Sequence, residues 1–292
     1  MNFPFALPST PDGIIPIWQG NGFQVGQQFS KVLHYTSNVD GWNDDLTSLH
    51  EETAGDQHFI DKASRDHAIS QIRKHLHTPK PVILEIGCSS GFMLQRLHKT
   101  FPNATVMGSD VVSAPLQKLA EILPNTPIFR FDLVHCPLPD NCVDAIVILN
   151  VLEHIEKDGE AIANIFRILK PGGIVVIEVP AGPHLYDAYD KVLMHYRRYT
   201  LSKLTQLLCD KGFKHLKKSH LGFFLYPGFA FVKMRNKRLL TESAAKQRQE
   251  VEKVIKDTGR NKLLHALMQT ELFLGNFISY PTGIRCLVTC KK

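Results

Sequence analysis

The chain has 292 residues, of which 43% are apolar and 21% charged, with a formal net charge of +6. This is an ordinary globular profile, long enough for one sizeable α/β domain with an insertion or for two small domains. The charge excess is mild for a nucleic-acid binder, where a strong basic stripe interleaved with aromatics is expected. The longest apolar run, "LGFFLYPGFAFV", is broken by Pro227 and is far shorter than the roughly 20 residues of a bilayer span.

The opening "MNFPFALPSTPDG" has neither a basic segment nor an apolar core and does not read as a signal peptide. Cysteines 88, 136, 142, 209, 286 and 290 form no CxxC pair or disulfide framework, which points to reduced thiols in the cytoplasm. Residues 1–63 read as an extended N-terminal arm or cap, rich in Gly, Pro, Asn and Asp, with one short helix at "WNDDLTSLHEE". His50, His58 and the nearby carboxylates Glu51, Glu52 and Asp61 lack an HxxxH or HExxH spacing, so no metal is expected.

From residue 64 strands and helices alternate. Ser64 is placed to cap a helix carrying Ala68, Ile69, Ile72 and Leu76 on one face. "PVILEIG" is the continuous apolar run of a strand covered on both faces. A helix with Met93, Leu94 and Leu97 follows, then the strand "TVMGSD". After it comes a helix capped by Ser113, with Leu116, Leu119 and Leu123 inward. "IFRFDL" and "VDAIVILNVL" are the next strands. "DGEAIANIFRILKPGG" is a helix presenting Ile162, Ile165, Phe166 and Leu169 and closed by Pro171 and two glycines. The strand "IVVIEVP", the helix "LSKLTQLLCDKGF" stopped at Gly212, a helical insertion over about 226–280 and a last strand "GIRCLVTCKK" complete residues 64–292. Repeated strand–helix units predict a Rossmann-like, seven-stranded, mostly parallel α/β sheet with helices on both faces.

Ligands of such sheets bind at the carboxyl ends of the strands, so the residues there carry the information. The first strand runs into "EIGCSSG", with Glu85, then Gly87, Cys88, Ser89 and Gly91 in the turn. Asp110, followed by Val111, ends the second strand 25 residues after Glu85, a spacing suited to gripping the two hydroxyls of a ribose. Asp132 and Leu133 follow the third strand, where an acceptor can take a proton from an exocyclic amine. Asn150, Val151, Glu153 and His154 follow the fourth. A lone Asp after a strand is commonly a turn former; four such positions in order describe a nucleoside site. The G-x-x-x-G spacing departs from the G-x-G-x-x-G of a nicotinamide dinucleotide fold, which disfavours an oxidoreductase.

The ordered set "EIGCSSG", "GSD", "FDL", "LNVLEHIE" and "LKPGGIVVIEVP" resembles the class I S-adenosylmethionine-dependent methyltransferases, in the broad group that includes the ubiquinone and menaquinone biosynthesis enzymes. The resemblance covers residues 82–213 and implies S-adenosylmethionine as cofactor and S-adenosylhomocysteine as product. It assigns Glu85 and Gly87 to the methionine moiety, Asp110 to the ribose and Asp132 to the adenine, with Asn150 under the sulfonium. Ser89 stands where that family usually has a middle glycine.

The acceptor side is expected in "PAGPHLYDAYDKVLMHYRRYT", which follows the fifth strand. His195, His154 and His184 are the candidate bases, and Tyr186, Asp187, Arg197, Arg198 and Tyr199 the candidate acceptor contacts. A base matters where the nucleophile is a hydroxyl or a protonated amine. The segment 214–238 mixes Lys214, Lys217, Lys218, Lys233, Arg235, Lys237 and Arg238 with five aromatics. It reads either as a solvated strand edge followed by a core helix, or as a peripheral membrane patch. The expected function is methyl transfer to an O or N nucleophile of a small molecule, glycan or lipid-linked acceptor. A catalytically silent cofactor-binding partner subunit is the alternative from another class.

Overall fold

The computed structural model describes residues 3–36, 58–243, 245–250 and 262–292. The helix expected at "WNDDLTSLHEE", with His50, Glu51 and Glu52, lies outside the described residues. The arm begins with three short antiparallel strands, β1 (Ile17–Trp18), β2 (Phe23–Val25) and β3 (Gln28–Ser30). Aromatic packing fastens it to the main body: Trp18 lies 4.8 Å from Phe23 and Phe23 lies 5.5 Å from Phe129, ring centroid to ring centroid.

The arm then joins the main sheet. β4 (Val32–His34) pairs in parallel with β7 (Ile128–Arg130), giving eight strands among the described residues where seven were expected. Three residues carry too little pattern to reveal such a strand, and its pairing depends on a neighbour some 95 residues later in the sequence.

Helix α1 (Phe59–His75) starts before the Ser64 cap expected from sequence. Ser64 lies inside it, and its Oγ is 2.8 Å from Ile60 O and 2.7 Å from Glu178 Oε1, two acceptors within reach of its single hydroxyl proton. The boundary drawn at 63/64 therefore falls within one helix. Next come β5 (Val82–Ile86), α2 (Phe92–Thr100), β6 (Thr105–Asp110), α3 (Ser113–Ile122), β7 and β8 (Val143–Leu149). Ser113 is the first residue of α3, and Val112 rather than Ser113 holds the cap position. α4 (Asp158–Ile168) leads directly into β9 (Leu169–Pro180), so Leu169 to Gly173 open a strand instead of closing a helix.

The sheet order is β10-β11-β9-β8-β5-β6-β7-β4, with β10 (Lys214–Leu221) and β11 (Arg285–Lys291) joined antiparallel. The β11–β9 pairing is antiparallel too, and all other pairs are parallel. Alternate residues separate onto the two faces. Leu84, Ile86, Ile146 and Ile148 join one buried cluster, and Ile83, Ala145 and Val147 the other. The chain runs from β5 outward to β6 and β7, then returns to β8 on the other side of β5. That reversal opens a crevice at the carboxyl ends of β5 and β8. Helices α5 (Ala188–Val192) and α6 (Leu201–Cys209) precede β10, and the insertion contributes α7 (Tyr226–Asn236) and α8 (Lys262–Gly275) between β10 and β11.

One buried cluster ties the layers together beside the crevice. Glu178 on β9 is fully buried, and its Oε1 accepts from Arg285 Nη1 (2.6 Å), Ser64 Oγ (2.7 Å) and Asn150 Nδ2 (3.2 Å). Arg285 also donates to Asp61 Oδ1 at 2.6 Å. Burial raises the Glu178 carboxyl above its usual range, and the Arg285 charge opposes that rise. Removing one member of a buried pair strands the other charge, at a cost of about 3–5 kcal/mol. Arg285→Met is therefore expected to lower the urea unfolding midpoint strongly. Glu178→Gln in the same chain should recover part of that loss, and a midpoint unchanged by Arg285→Met would refute the role.

Candidate cofactor and acceptor site

A cavity of about 780 Å³ lies at the crevice, well into the range of small-molecule and cofactor sites. The strand-end residues Glu85, Gly87, Cys88, Ser89, Asp110, Val111, Asp132, Leu133, Asn150 and Val151 all line it. Gly91, also expected there, does not; it caps α2, and a Cβ on it would come 2.2 Å from Leu119 Cδ1. Ser90, Phe92, Met93 and His135 line the cavity as well. They are placed there by the turns, with no residue-type signal of their own.

The β5 turn is built for close approach. Gly87 has φ +77°, and a Cβ there would meet Val151 Cγ2 at 2.3 Å, so the turns after β5 and β8 touch only because this position is glycine. Ser89 has φ +42°, a left-handed conformation uncommon outside glycine. Its backbone N–H donates to Asp110 Oδ2 at 3.0 Å. Asp110 Oδ1 accepts from the amides of Val111 (2.7 Å) and Val112 (3.1 Å), so three backbone donors orient this carboxylate. Asp132 accepts from Val134 N (2.9 Å) through Oδ1 and contacts His135 Nδ1 (2.9 Å) through Oδ2. Asn150 has φ +54°, a conformation asparagine tolerates better than most residues.

Glu85 is buried, and its Oε2 has no hydrogen-bond partner among the described residues. Burial pushes its carboxyl well above the usual range, and the Asp110 charge pushes the same way. The Cys88 thiol is likewise raised by burial, so it packs as an apolar group without nucleophilic character.

The opposite wall combines α1, the segment after β9 and α7. Asp187 and Asp190 form a reciprocal capping box at the start of α5 (Ala188–Val192) and are both fully buried. Lys233 of α7 reaches them, with Nζ 2.7 Å from Asp187 Oδ1 and 3.0 Å from Asp190 Oδ2. Arg198 Nε donates to Asp190 Oδ1 at 2.8 Å, and His195 Nδ1 lies 2.7 Å from the same oxygen. Burial alone would raise Asp190. The hydrogen bond from His195 and the charges of Lys233 and Arg198 outweigh it and hold the carboxyl below its ordinary range. An ionised Asp190 accepts only, so His195 carries its proton on Nδ1 and presents a lone pair at Nε2.

The polar residues expected in this segment therefore separate into two groups. Asp187, His195 and Arg198 line the cavity, as does His154. Tyr186, Arg197, Tyr199 and His184 do not. Tyr186 donates to His195 O (2.8 Å), Arg197 pairs with Asp158 (2.8 Å) and Tyr199 donates to Asp158 Oδ2 (2.7 Å), so these three brace the loop. His184 is exposed and contacts Tyr226. Lys233, read from sequence as part of a surface patch, is buried at 4% exposure. Its carboxylate partners lie more than 40 residues earlier in the chain, beyond the reach of any local pattern.

A methyltransferase-domain family model matches residues 84–177, the span from β5 to β9. Among curated proteins, a probable S-adenosylmethionine-dependent methyltransferase of Mycolicibacterium smegmatis is 28% identical over 156 residues, 53% of this chain and 59% of that one. Residues 84–177 are a class I S-adenosylmethionine-dependent methyltransferase domain. The ubiquinone/menaquinone biosynthesis C-methyltransferase of Desulfotalea psychrophila is 22% identical over 54% of this chain and 68% of its own length. A putative sarcosine dimethylglycine methyltransferase from Galdieria sulphuraria shares the fold, with a TM-score of 0.57, 14% identity and coverage of 85% of this chain and 98% of that one. The chain thus spans little more than half the length of the first of these relatives.

The methyltransferase cofactor, S-adenosylmethionine, fits the residues present. The unpartnered Glu85 Oε2 is an acceptor suited to an ammonium group, the Gly87 turn lacks the side chain that would block approach, and Asp110 offers a fixed carboxylate. Hydrogen bonds to a charged group are worth about 1.5–3 kcal/mol each. Asp110→Ala should accordingly weaken S-adenosylhomocysteine binding by at least about tenfold in calorimetry. Unchanged affinity in a folded variant would remove Asp110 from the site.

Proposed function

We propose that the protein transfers a methyl group from S-adenosylmethionine to an oxygen or nitrogen nucleophile of a small-molecule, glycan or lipid-linked acceptor. The observation that carries this reading is one continuous cavity lined both by the domain's cofactor residues and by the polar wall of His154, His195 and Arg198. Glu85, Gly87, Asp110, Asp132 and Asn150 would hold the cofactor, which supplies a methyl group on a positively charged sulfur, already a good leaving group. The chain's own task is then to align the acceptor and keep water out, and orientation of this kind contributes much of a transfer rate. Phe229, Val232 and Leu193 give the acceptor wall its apolar surface, while the Asp190-anchored His195 receives the acceptor's nucleophilic atom. Burial lowers the His195 pKa below its ordinary value, and Asp190 partly restores it, which favours the neutral ring at neutral pH.

The lipid-linked form of acceptor draws support from α7. Its inner face sends Phe229, Val232 and Lys233 to the cavity, while its outer face exposes Phe231 (65%) and Met234 (55%) beside Arg235, Lys237 and Arg238. No helix of the described residues is long and apolar enough to cross a membrane. This reading keeps the enzyme in the cytoplasm and in contact with a membrane surface, consistent with its six free cysteines.

His195→Asn is expected to reduce turnover about 100-fold or more, on the scale of a lost proton-transfer group, while leaving S-adenosylhomocysteine affinity within about twofold; equal loss of both would reassign His195 to scaffolding. Flotation with anionic vesicles should capture the protein, and Phe231→Ser with Met234→Ser should release it. No capture would leave a water-soluble acceptor as the substrate class.

A further inference from the structure

Glu153 is the unusual group in this cavity. It is fully buried, and neither carboxylate oxygen has a hydrogen-bond partner among the described residues. Buried polar groups are ordinarily satisfied, and an unsatisfied carboxylate is among the costliest to leave so. The neighbouring acids are matched: Glu178 by Arg285, and Asp187 and Asp190 by Lys233 and Arg198. No described cation lies within ion-pair distance of Glu153.

Two imidazoles share its location. One donor atom each from Glu153, His154 and His195 lies within 4.8 Å of the others, and the two rings meet edge to face at 4.7 Å between centroids. His195 Nδ1 is fixed on Asp190 at 2.7 Å, which turns Nε2 away from that carboxylate. A histidine held through its far nitrogen by a carboxylate is the usual supporting arrangement of a metal ligand. All three residues line the cavity, so the location has an entry path and an open side.

We propose that Glu153, His154 and His195 bind one divalent transition-metal ion of the zinc class, with the remaining coordination position open to the cavity. Two histidines and one glutamate are a donor set suited to Zn²⁺ that leaves room for an exogenous oxygen. Bond lengths of about 2.0–2.2 Å place tetrahedral ligand atoms roughly 3.4 Å apart, so the three side chains close in slightly on loading. Asp190 is a positioning residue, and Lys233 and Arg198 keep it in place. The inference departs from the sequence expectation that no metal binds, and it deepens the methyl-transfer reading on which its role rests. The ion would hold an oxygen of the acceptor directly; His195 Nε2 is then a ligand and no longer a base, and the turnover lost in His195→Asn reads as loss of the ion that polarises the acceptor.

The chelator-treated protein is titrated with Zn²⁺ by calorimetry and with Co²⁺ by visible absorption. One equivalent is expected, with the absorption of a four- or five-coordinate Co²⁺ site. Glu153→Gln and His154→Gln should each weaken Zn²⁺ binding by at least about tenfold, and Asp190→Asn by about 10–100-fold, the range for supporting partners. Circular dichroism confirms the fold of each variant, and the near-isosteric Glu153→Gln keeps the test readable if a histidine variant unfolds. Cys209 and His215 form a separate pair, with Sγ 3.1 Å from Nε2, and Cys209→Ser should leave the equivalent intact. The proposal is overturned by absent binding, by binding unchanged in Glu153→Gln, or by binding lost in Cys209→Ser. S-adenosylhomocysteine calorimetry on the same samples separates the two readings. Metal bound without cofactor rejects methyl transfer alone, and cofactor bound without metal rejects the ion site alone.

Discussion

The site depends on a carboxylate that never reaches solvent. Glu178 is fully buried on β9 and collects donors from α1, from the turn after β8 and from β11. A carboxylate in that position persists because a guanidinium and two neutral donors meet it; without them it would be forced toward its neutral form. The same contacts set the crevice geometry. Asn150 is drawn to Glu178 in a left-handed conformation, and the chain then places Val151 against Gly87. Through Ser64 and Arg285 the cluster also ties α1 and the last strand to the cavity wall.

On this frame the two walls are built by different means. The cofactor wall is made of backbone. Amides of residues 89, 111 and 112 orient Asp110, and the glycine at 87 lets two turns touch. Ser89 fits because its left-handed backbone is secured by the bond from its own amide to Asp110, so a middle glycine is not needed here. The acceptor wall is made of side chains from distant segments. A capping box on α5 presents two carboxylates; Lys233 from the insertion bridges them and Arg198 pairs with Asp190. The insertion is therefore part of the site, since without Lys233 the segment carrying His195 would hold two adjacent buried acids with only Arg198 close by.

The sheet, the order of its helices and the strand-end positions were legible in the chain, because apolar runs and turn residues report on local burial and ligands of this sheet type collect at strand ends. Less of the acceptor wall was legible. In "HLYDAYDKVLMHYRRY" every polar residue looked like a candidate contact, yet Tyr186, Arg197 and Tyr199 satisfy the loop's own backbone and neighbours. His184 faces away for a similarly local reason: it follows Gly182 and Pro183 in a single helical turn on the surface. Glu153 looked unremarkable beside His154, because nothing local shows that a side chain lacks a partner.

What the sequence determined by itself was the doubly covered sheet and the strand-end positions of Glu85, Gly87, Asp110 and Asp132, which line one cavity. These follow from periodicity and from chain order at consecutive strand ends, properties that a short stretch of residues carries alone. The tertiary structure decided which acids are paired and which is left over. Lys233 lies 46 residues from Asp187, Arg285 lies 107 residues from Glu178, and only folding shows that Glu153 has no such partner among the described residues. Charge satisfaction is a property of the enclosed cavity, where a missing partner is costly because water is excluded.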